Sequence, residues 1–519
     1  MRKSVIVPSC RERWWHDRLL VFVAAALGVW SAMSFTWPLS GDAGVFAWMA
    51  DSVWRGNPAY VVAWDTKGPA AWLPSLAMQA LTGRNAWAIR LFDIAMVFVA
   101  LMSLRTVTRR IGEPAAARIA VALYALWYTN LDFETSVQPD GWVGAWLALA
   151  CALTVAGGGA GAVAAGALVA FSAFSKPFYA GHFVVLWMLI WAMRDLSAAA
   201  RARSACLVAL GGLLLAAAMY AFLSLTGSLD AFLEVQRWNR DVYAGLSGPW
   251  LTRIPSSIRG ALALPWGLVA PFALFAVTTK FDVRSWRSIA ALAVGFIGAV
   301  AGVILQGKGW TYHWLPILPY LALLAGIGFA RLQLPLAGVT AHQFSRVALG
   351  LALAVSAMAP LQQVFRFVLS RRSADAEAVY ERREFKLYGR HPGSLYAIVD
   401  SLRTLPVPAP SIMVWAMHPA PQIVAGLVIP TRYAVIRPLF DGEGTAIRAR
   451  YRAEFEREMQ AAPPGYWLVP TLEVETRNPE IASRTPPKYA AVDELLRTRY
   501  ALVAQSADWL VYELRKTPR

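Results

Sequence analysis

The uncharged run GWVGAWLALACALTVAGGGAGAVAAGALVAFSAFS, residues 141–175, decides how this chain is counted. As a single helix its 35 residues would extend about 52 Å, far beyond a hydrocarbon layer of about 30 Å. The glycine cluster GGGAG at Gly157–Gly161 supplies a reversal, so the run reads as two crossings rather than one. Nine further apolar runs flank it: Leu19–Trp37, Ala86–Leu104, Ala115–Thr129, Pro177–Met193, Ser204–Leu229, Gly260–Thr279, Ser288–Gly307, Gly309–Ala330 and Val347–Phe365. Helices satisfy their own backbone inside lipid, so the count predicts an all-α polytopic membrane protein with about eleven transmembrane helices.

Composition agrees. Of 519 residues, 57% are hydrophobic and 16% charged, the apolar ones concentrated before about residue 365. The chain therefore divides into a transmembrane part, 1–366, and a soluble part, 367–519. The net charge of +17 is scattered as single basic residues between apolar runs, which suits anionic headgroups and excludes a nucleic-acid surface. Cys10, Cys151 and Cys206 form no spacing motif. The polar tail MRKSVIVPSCRERWWHDR and the long run behind it do not fit an ordinary cleaved signal peptide, so the first span is read as retained.

Basic residues near span ends set the direction. With the N-terminus in the cytoplasm, the inner segments hold Arg2, Lys3, Arg11, Arg13 and Arg18; Arg105, Arg109 and Arg110; Arg194, Arg201 and Arg203; Lys280, Arg284 and Arg287; and Arg331 and Arg346. The outer face then receives residues 38–85, 130–140, 230–259, the region near 308 and the whole C-terminal part. There SIMVWAM (411–417), YAVIR (433–437), YWLVP (466–470), YALVA (500–504) and WLVYEL (509–514) read as strands, and Ala446–Gln460 as an amphipathic helix. A small periplasmic α/β domain follows. Within the second span, Arg90 and Asp93 share a helical face, where they are expected to neutralise each other in part.

With this topology the unusual residues collect on one side. The first outer segment holds SGDAGVFAW with Asp42 and AWDTKGPAAW with Asp65 and Lys67; the second ends in QPDGW with Asp140; the next carries EVQRWNRDVY with Arg237, Arg240, Asp241 and Tyr243; and QGKGWTYHWLP brings Lys308, Tyr312 and His313. Such a cluster suits a lipid whose head is phosphorylated and whose tail lies between spans.

The ordered stretches SGDAGVFAWMADSVWRGNPAY, WDTKGPAAWLP, TSVQPDGWVGAWLALA and KGWTYHWLPILPYLALLAG resemble the bacterial polyprenyl-phosphate-sugar-dependent glycosyltransferases of the GT-C fold. This grouping includes the aminoarabinose transferases acting on lipid A, the protein O-mannosyltransferases and enzymes of rhizobial galacturonosyltransferase type. The resemblance covers roughly residues 15–335. It departs from many relatives in having GD where they have two acids, and Phe46 where they have Tyr.

The resemblance implies an inverting transfer of a sugar from a polyprenyl-phosphate carrier to a hydroxyl acceptor (an envelope glycan, lipid A or a protein) at the periplasmic face of the bacterial inner membrane. Such a reaction needs a base for the acceptor and positive charge for the departing phosphate. Asp42 stands at the catalytic acid position and is assigned as base. Lys67 corresponds to the phosphate-binding lysine, and Arg240, Arg237 and Lys308 are candidates for a second phosphate contact. Asp140, Asp65, Phe46, Tyr312 and His313 are expected to position sugar or acceptor. Each has a plainer alternative from the residues alone: Asp42 and Asp140 as helix caps, Lys67 as a snorkelling lysine, Lys308 as an anchor, Tyr312 as part of an interfacial aromatic belt. Lys176, near the outer end of its span, is equally open.

The six histidines show no HExxH or paired spacing, so no metal site is assigned. Asp42 and Asp140 leave a shared divalent cation or substrate hydrogen bonds as alternatives. No GxGxxG or GxxxxGK[ST] loop is present, and no nucleotide is expected as direct energy source. Two other function classes remain: a lipid or solute transporter, for which Arg90 and Asp93 would mark the path, and a noncatalytic envelope assembly protein.

Overall fold

The computed structural model describes residues 17–249, 251–255, 257, 265–278, 283–308, 310–332, 339–385, 392–403, 411–416, 418–471, 484 and 486–515. Arg2, Lys3, Cys10, Arg11, Arg13, His16, Lys280, His391 and Met417 lie outside these residues, as do 260–264 and Thr279 of one expected span and Gly309 of another.

The membrane part runs α1 (Arg18–Ser34), α2 (Gly41–Trp54), α3 (Leu73–Thr82), α4 (Ala86–Arg110), α5 (Ala116–Tyr128), α6 (Pro139–Ala156), α7 (Gly159–Ala173), α8 (His182–Ala192), α9 (Ala198–Leu225), α10 (Leu229–Asp241), α11 (Ala270–Thr278), α12 (Val283–Gln306), α13 (Leu318–Leu332) and α14 (Val339–Ser370). Among the described residues six helices are long and apolar enough to cross a membrane, and five shorter apolar ones accompany them. Each of the eleven expected runs carries one of these helices. The 141–175 run divides where expected: α6 stops at Gly157 (φ 80°), and Gly158 (φ 97°) opens α7. Both values lie in the left-handed region that glycine enters without strain. α5 and α13 form the buried centre, with Leu123, Trp127, Ile327 and Phe329 enclosed. α9 and α14 turn Leu213, Leu225, Val347 and Leu361 outward, as lipid-facing helices do.

At one end of the bundle the buried Arg331 guanidinium donates to Glu113 at 2.5 Å and Ser285 at 2.9 Å, joining three segments expected on the same side. The opposite end carries the candidate loops. Arg90 and Asp93 lie within each other's field, as their shared helical face implies, but they spend their hydrogen bonds on other groups. Arg90 donates to the carbonyls of Trp37 (3.3 Å) and Pro38 (2.5 Å) and to Ser136 (3.2 Å), while Asp93 accepts from Tyr128 and Trp142, both at 2.7 Å. Asp93 also takes the backbone N–H of Val137, whose φ of +58° is costly for a β-branched residue. Two buried charges thus tie the first and second outer loops to α4. Asp93→Ala would leave three donors unanswered and Arg90 uncompensated, so a stability loss of about 3 kcal/mol is expected in denaturant unfolding of the detergent-solubilised chain. An unchanged midpoint would refute this role.

The C-terminal part adds α15 (Ala374–Glu384), α16 (Pro392–Arg403), β1 (Ile412–Val414), α17 (Ala420–Val424), α18 (Arg437–Phe440), α19 (Ala446–Ala461), β2 (Tyr466–Pro470), α20 (Ala490–Arg499), β3 (Tyr500–Gln505) and β4 (Trp509–Leu514). The sheet has the order β1-β2-β4-β3, with β1 parallel to β2 and the other pairs antiparallel. Four of the five expected strands form. The fifth, 433–437, is instead an irregular buried segment leading into α18. Its apolar side chains are buried, Tyr433 against Tyr451 and Phe455 of α19, and Arg432 at its head gives its carbonyl to Trp64 N–H at 2.9 Å rather than to a ladder.

Candidate active site

Local structure first determines where each candidate stands. Ser40 caps α2 by accepting from Ala43 N–H, so Asp42 lies in the first helical turn with its carboxylate free of capping. α2 is in turn covered by α17, where Ala420 sits so close to Gly44 that an added Cβ would lie 2.7 Å from it. The segment Asp65–Gly68 crosses against the end of α7. A Cβ on Gly68 would lie 1.9 Å from the Phe174 carbonyl oxygen, so only glycine permits this approach, which carries Lys67 alongside Lys176.

Two ammonium–carboxylate pairs result, and they differ. Lys176 Nζ lies 2.8 Å from both oxygens of Asp140, which also accepts from Tyr179 at 2.7 Å; Gln306 accepts from the same ammonium at 2.5 Å. The Asp140 side chain is fully buried. Lys67 Nζ is 3.5 Å from Asp42, and that carboxylate keeps 21% of its surface exposed. Asp140 is therefore a fixed, saturated structural anion, whereas Asp42 is held loosely and reachable. Gln138, not Asp140, takes the cap position of α6, and the two acids hold lysines where a shared cation was one alternative. Among the described residues no three His, Cys, Asp or Glu side chains converge as metal ligands.

A cavity of about 1280 Å³ opens beside these pairs. Ala170, Phe183, Val184, Trp187, Leu213 and Tyr220 of α7, α8 and α9 form its apolar half, and Val184, Trp187 and Leu213 are exposed on the lipid-facing side. Its other half gathers Lys67, Lys176, Arg237, Arg240 and Lys308 with Tyr243, Tyr312 and His313. Of the ten residues expected from sequence, six line this space. The remaining four stand just behind its wall: Asp42 and Phe46 against Lys67, the latter ring 4.8 Å from Nζ, Asp140 against Lys176, and Asp65 within the field of Lys67. Arg237 and Arg240 both line the cavity and both are exposed, and Arg240 is engaged with Asp241 at 2.6 Å. Lys308 lies 4.2 Å from the centre of the Tyr243 ring and donates to the Tyr243 carbonyl at 3.3 Å. His313 is buried against Tyr312, with ring centroids 4.7 Å apart.

Electrostatics sharpen the roles of the loop groups. Burial opposes the Lys67 ammonium, but the carboxylates of Asp42 and Asp65 outweigh it and raise its pKa, so the charge persists. Burial pushes the Asp65 carboxyl up to about 6, the neighbouring Lys67 working against it, and its Oδ2 has no hydrogen-bond donor among the described residues. A folded pKa above the unfolded value means the folded chain holds that proton more tightly. The stability this provides is complete below about pH 4 and lost as pH rises through about 6. Asp65→Asn is therefore expected to exceed the wild chain in stability by about 1–3 kcal/mol above pH 7 and to match it near pH 4. Parallel pH–stability curves for the two proteins would contradict this.

Sequence reasoning passed over four residues. Tyr179 and Gln306 complete the Lys176 cluster from helices far apart in the chain. Glu134 sits in the second outer loop, where burial, then Asp132 and Asp42, push it up to about 7. Arg437 of the C-terminal part stands behind the lining residue Tyr243, its guanidinium carbon 5.0 Å from the ring centre. Only the acid in LDFETS was visible as an outer-loop charge; the others carry no local signal.

No protein-family model and no curated protein sequence matches the chain. Among solved structures, its fold is similar to that of ArnT from Cupriavidus metallidurans bound to undecaprenyl phosphate, with a TM-score of 0.59 at 17% identity over 95% of this chain and 97% of that one. The apo state of the same protein gives 0.57 at 16% identity, covering 96% and 98%. The Archaeoglobus fulgidus oligosaccharyltransferase tethered with an acceptor peptide gives 0.52 at 13% identity, covering 97% of this chain and 74% of that one. At these identities the likeness is one of fold.

Proposed function

We propose that the chain is an inverting glycosyltransferase that moves a sugar from a polyprenyl-phosphate carrier to an acceptor hydroxyl at the periplasmic face of the bacterial inner membrane. One observation carries the reading. A single cavity has an apolar half opening toward lipid between α8 and α9 and a basic half containing Lys67, which touches the reachable carboxylate of Asp42. That division matches a donor with a long isoprenoid tail, an anionic phosphate and a sugar at the junction. The fold shared with a protein seen bound to undecaprenyl phosphate supports the same donor class.

The donor phosphate enters among Lys67, Lys308 and Arg237, with Lys176 behind them. The phosphate competes with Asp42 for the Lys67 ammonium, and a carboxylate released from its ion pair is a better acceptor for the hydroxyl proton. The acceptor oxygen attacks C1 from the Asp42 side, the C1–O bond to phosphate breaks on the opposite side, and Lys67 and Arg237 stabilise the charge that develops on the leaving phosphate. Attack opposite the leaving group inverts the anomeric configuration. Arg90 and Asp93, which would mark a transport path, are instead occupied in holding the two outer loops.

Reconstitution into proteoliposomes with labelled polyprenyl-phosphate sugars and envelope extracts tests the reading. Label transferred to an acceptor and dependent on Asp42 supports it. Vectorial movement of donor lipid with no glycosylated product would overturn it.

A further inference from the structure

Every residue lining the donor half of the cavity belongs to the membrane part, but part of that lining is braced from outside by the C-terminal part. The basic wall is α10, which presents Gln236, Arg237, Asn239 and Arg240. α10 is an outer amphipathic helix with three buried anchors, Phe232, Val235 and Trp238, tied to the first outer loop by Gln236, which donates to the Thr66 carbonyl at 3.2 Å, and by Trp238 against Trp64; a second set of contacts comes from the C-terminal part. The segment 432–442 of the C-terminal part makes these contacts at both ends. Near the start of α10, Arg432 bonds Glu234 at 3.3 Å, is held by Glu454 at 2.8 Å, and donates to the Tyr60 carbonyl at 3.3 Å. Beyond the end of α10, Gly442 fits so closely that a Cβ there would lie 2.9 Å from Val242. Next to it, Arg437 places its guanidinium 5.0 Å from the Tyr243 ring centre.

The Arg437 contact is itself braced. Its Nε donates to Asp441 at 3.1 Å, and Asp441 accepts from Arg484 at 3.1 Å, so the guanidinium is buried and fixed before any ligand arrives. Tyr243 is the point where the two parts of the chain meet over the cavity. Its ring also receives Lys308 at 4.2 Å and packs against Trp238 at 5.9 Å, and it lies within the field of Lys67. A tyrosine ring with two cations over it holds both at a set position relative to the space they face.

We propose that Arg437 is a positioning residue for the donor phosphate: by fixing Tyr243 it sets the location of Lys308 and of the α10 wall, so that the C-terminal part braces the donor site. This rests on the donor reading above. It gives the C-terminal part a role on the donor side.

The test uses the full-length protein in lipid nanodiscs and undecaprenyl phosphate as probe, with affinity measured for wild type and variants. Arg437→Ala is expected to bind about tenfold more weakly, Arg437→Lys within about threefold of wild type, and Arg497→Ala, an exposed residue in the same part, unchanged. Tyr243→Leu is expected to lose a similar factor, and Arg437→Ala added to it is expected to lose little more, because both act through one contact. The lipid-free unfolding temperature should not follow this pattern, and rescue by lysine separates positioning from general packing. Wild-type binding together with unaffected Arg437→Ala, or fully additive losses in the double variant, would overturn the inference alone. A wild-type protein that does not bind undecaprenyl phosphate would overturn the donor reading and this inference with it.

Discussion

Asp42→Asn is expected to lose turnover by about three orders of magnitude while undecaprenyl-phosphate affinity stays within about threefold of wild type. The amide keeps the size of the carboxylate but can no longer take the acceptor proton, and general-base contributions span about 10²–10⁴-fold. A contrast with Asp140 supports this choice. Asp140 has both oxygens engaged and no exposed surface, whereas Asp42 has one ion pair at 3.5 Å and keeps a fifth of its side-chain surface accessible. Single-turnover measurements with bound donor give the decisive readout, since they exclude slower loading as the cause. Equal loss of binding and turnover would place Asp42 in donor recognition and remove it from the chemistry. Asp140→Asn should behave differently, lowering stability through the unpaired Lys176 ammonium instead of stopping a correctly folded enzyme.

Lys67→Ala is expected to weaken donor binding about tenfold and to lower turnover a further 10²–10³-fold, the range seen when one preorganised group is removed from a developing anion. Binding and catalysis both suffer because the same ammonium meets the phosphate in the ground state and carries more of its charge as the bond to C1 breaks. Removing it also frees Asp42 from its ion pair. Lys67→Arg keeps the charge but should recover only part of the activity: a planar guanidinium does not occupy the point position that Gly68, pressed on the Phe174 carbonyl, gives to Nζ. Full recovery by arginine would show that charge alone matters there. Turnover unchanged in Lys67→Ala would exclude Lys67 as the leaving-group contact.

How much of this was legible beforehand follows from which residues carry local signals. Asp42, Lys67, Lys308, Tyr312 and His313 stand out because charge or polarity next to an apolar run needs a reason, and all five reach the cavity wall or its immediate backing. Arg240 and Arg237 were both candidates, and Arg240 finds a partner in its neighbour Asp241; spacing along α10 does not say which of the two stays available to a ligand. Arg90 and Asp93 share a helical face and offset each other's charge, yet their hydrogen bonds go to the backbone carbonyls of Trp37 and Pro38 and to the hydroxyl of Tyr128, because polar groups brought into the bundle by the two loops need partners. The segment 433–437 has strand-like residues, and its apolar side chains found burial without a ladder.

By itself the sequence determined the eleven apolar helices, the turn at Gly157 and Gly158, the sheet-bearing C-terminal part and the set of charged loops, since hydrophobic period, span length and glycine each act within a few turns of chain. The tertiary structure alone decided which lysine holds which acid, that Asp42 rather than Asp140 stays reachable, and that Arg437 meets Tyr243 from nearly two hundred residues away. Those outcomes depend on which buried polar groups find partners when separate segments meet, and in a dry interior that choice belongs to the packed assembly and is written in no one stretch of it.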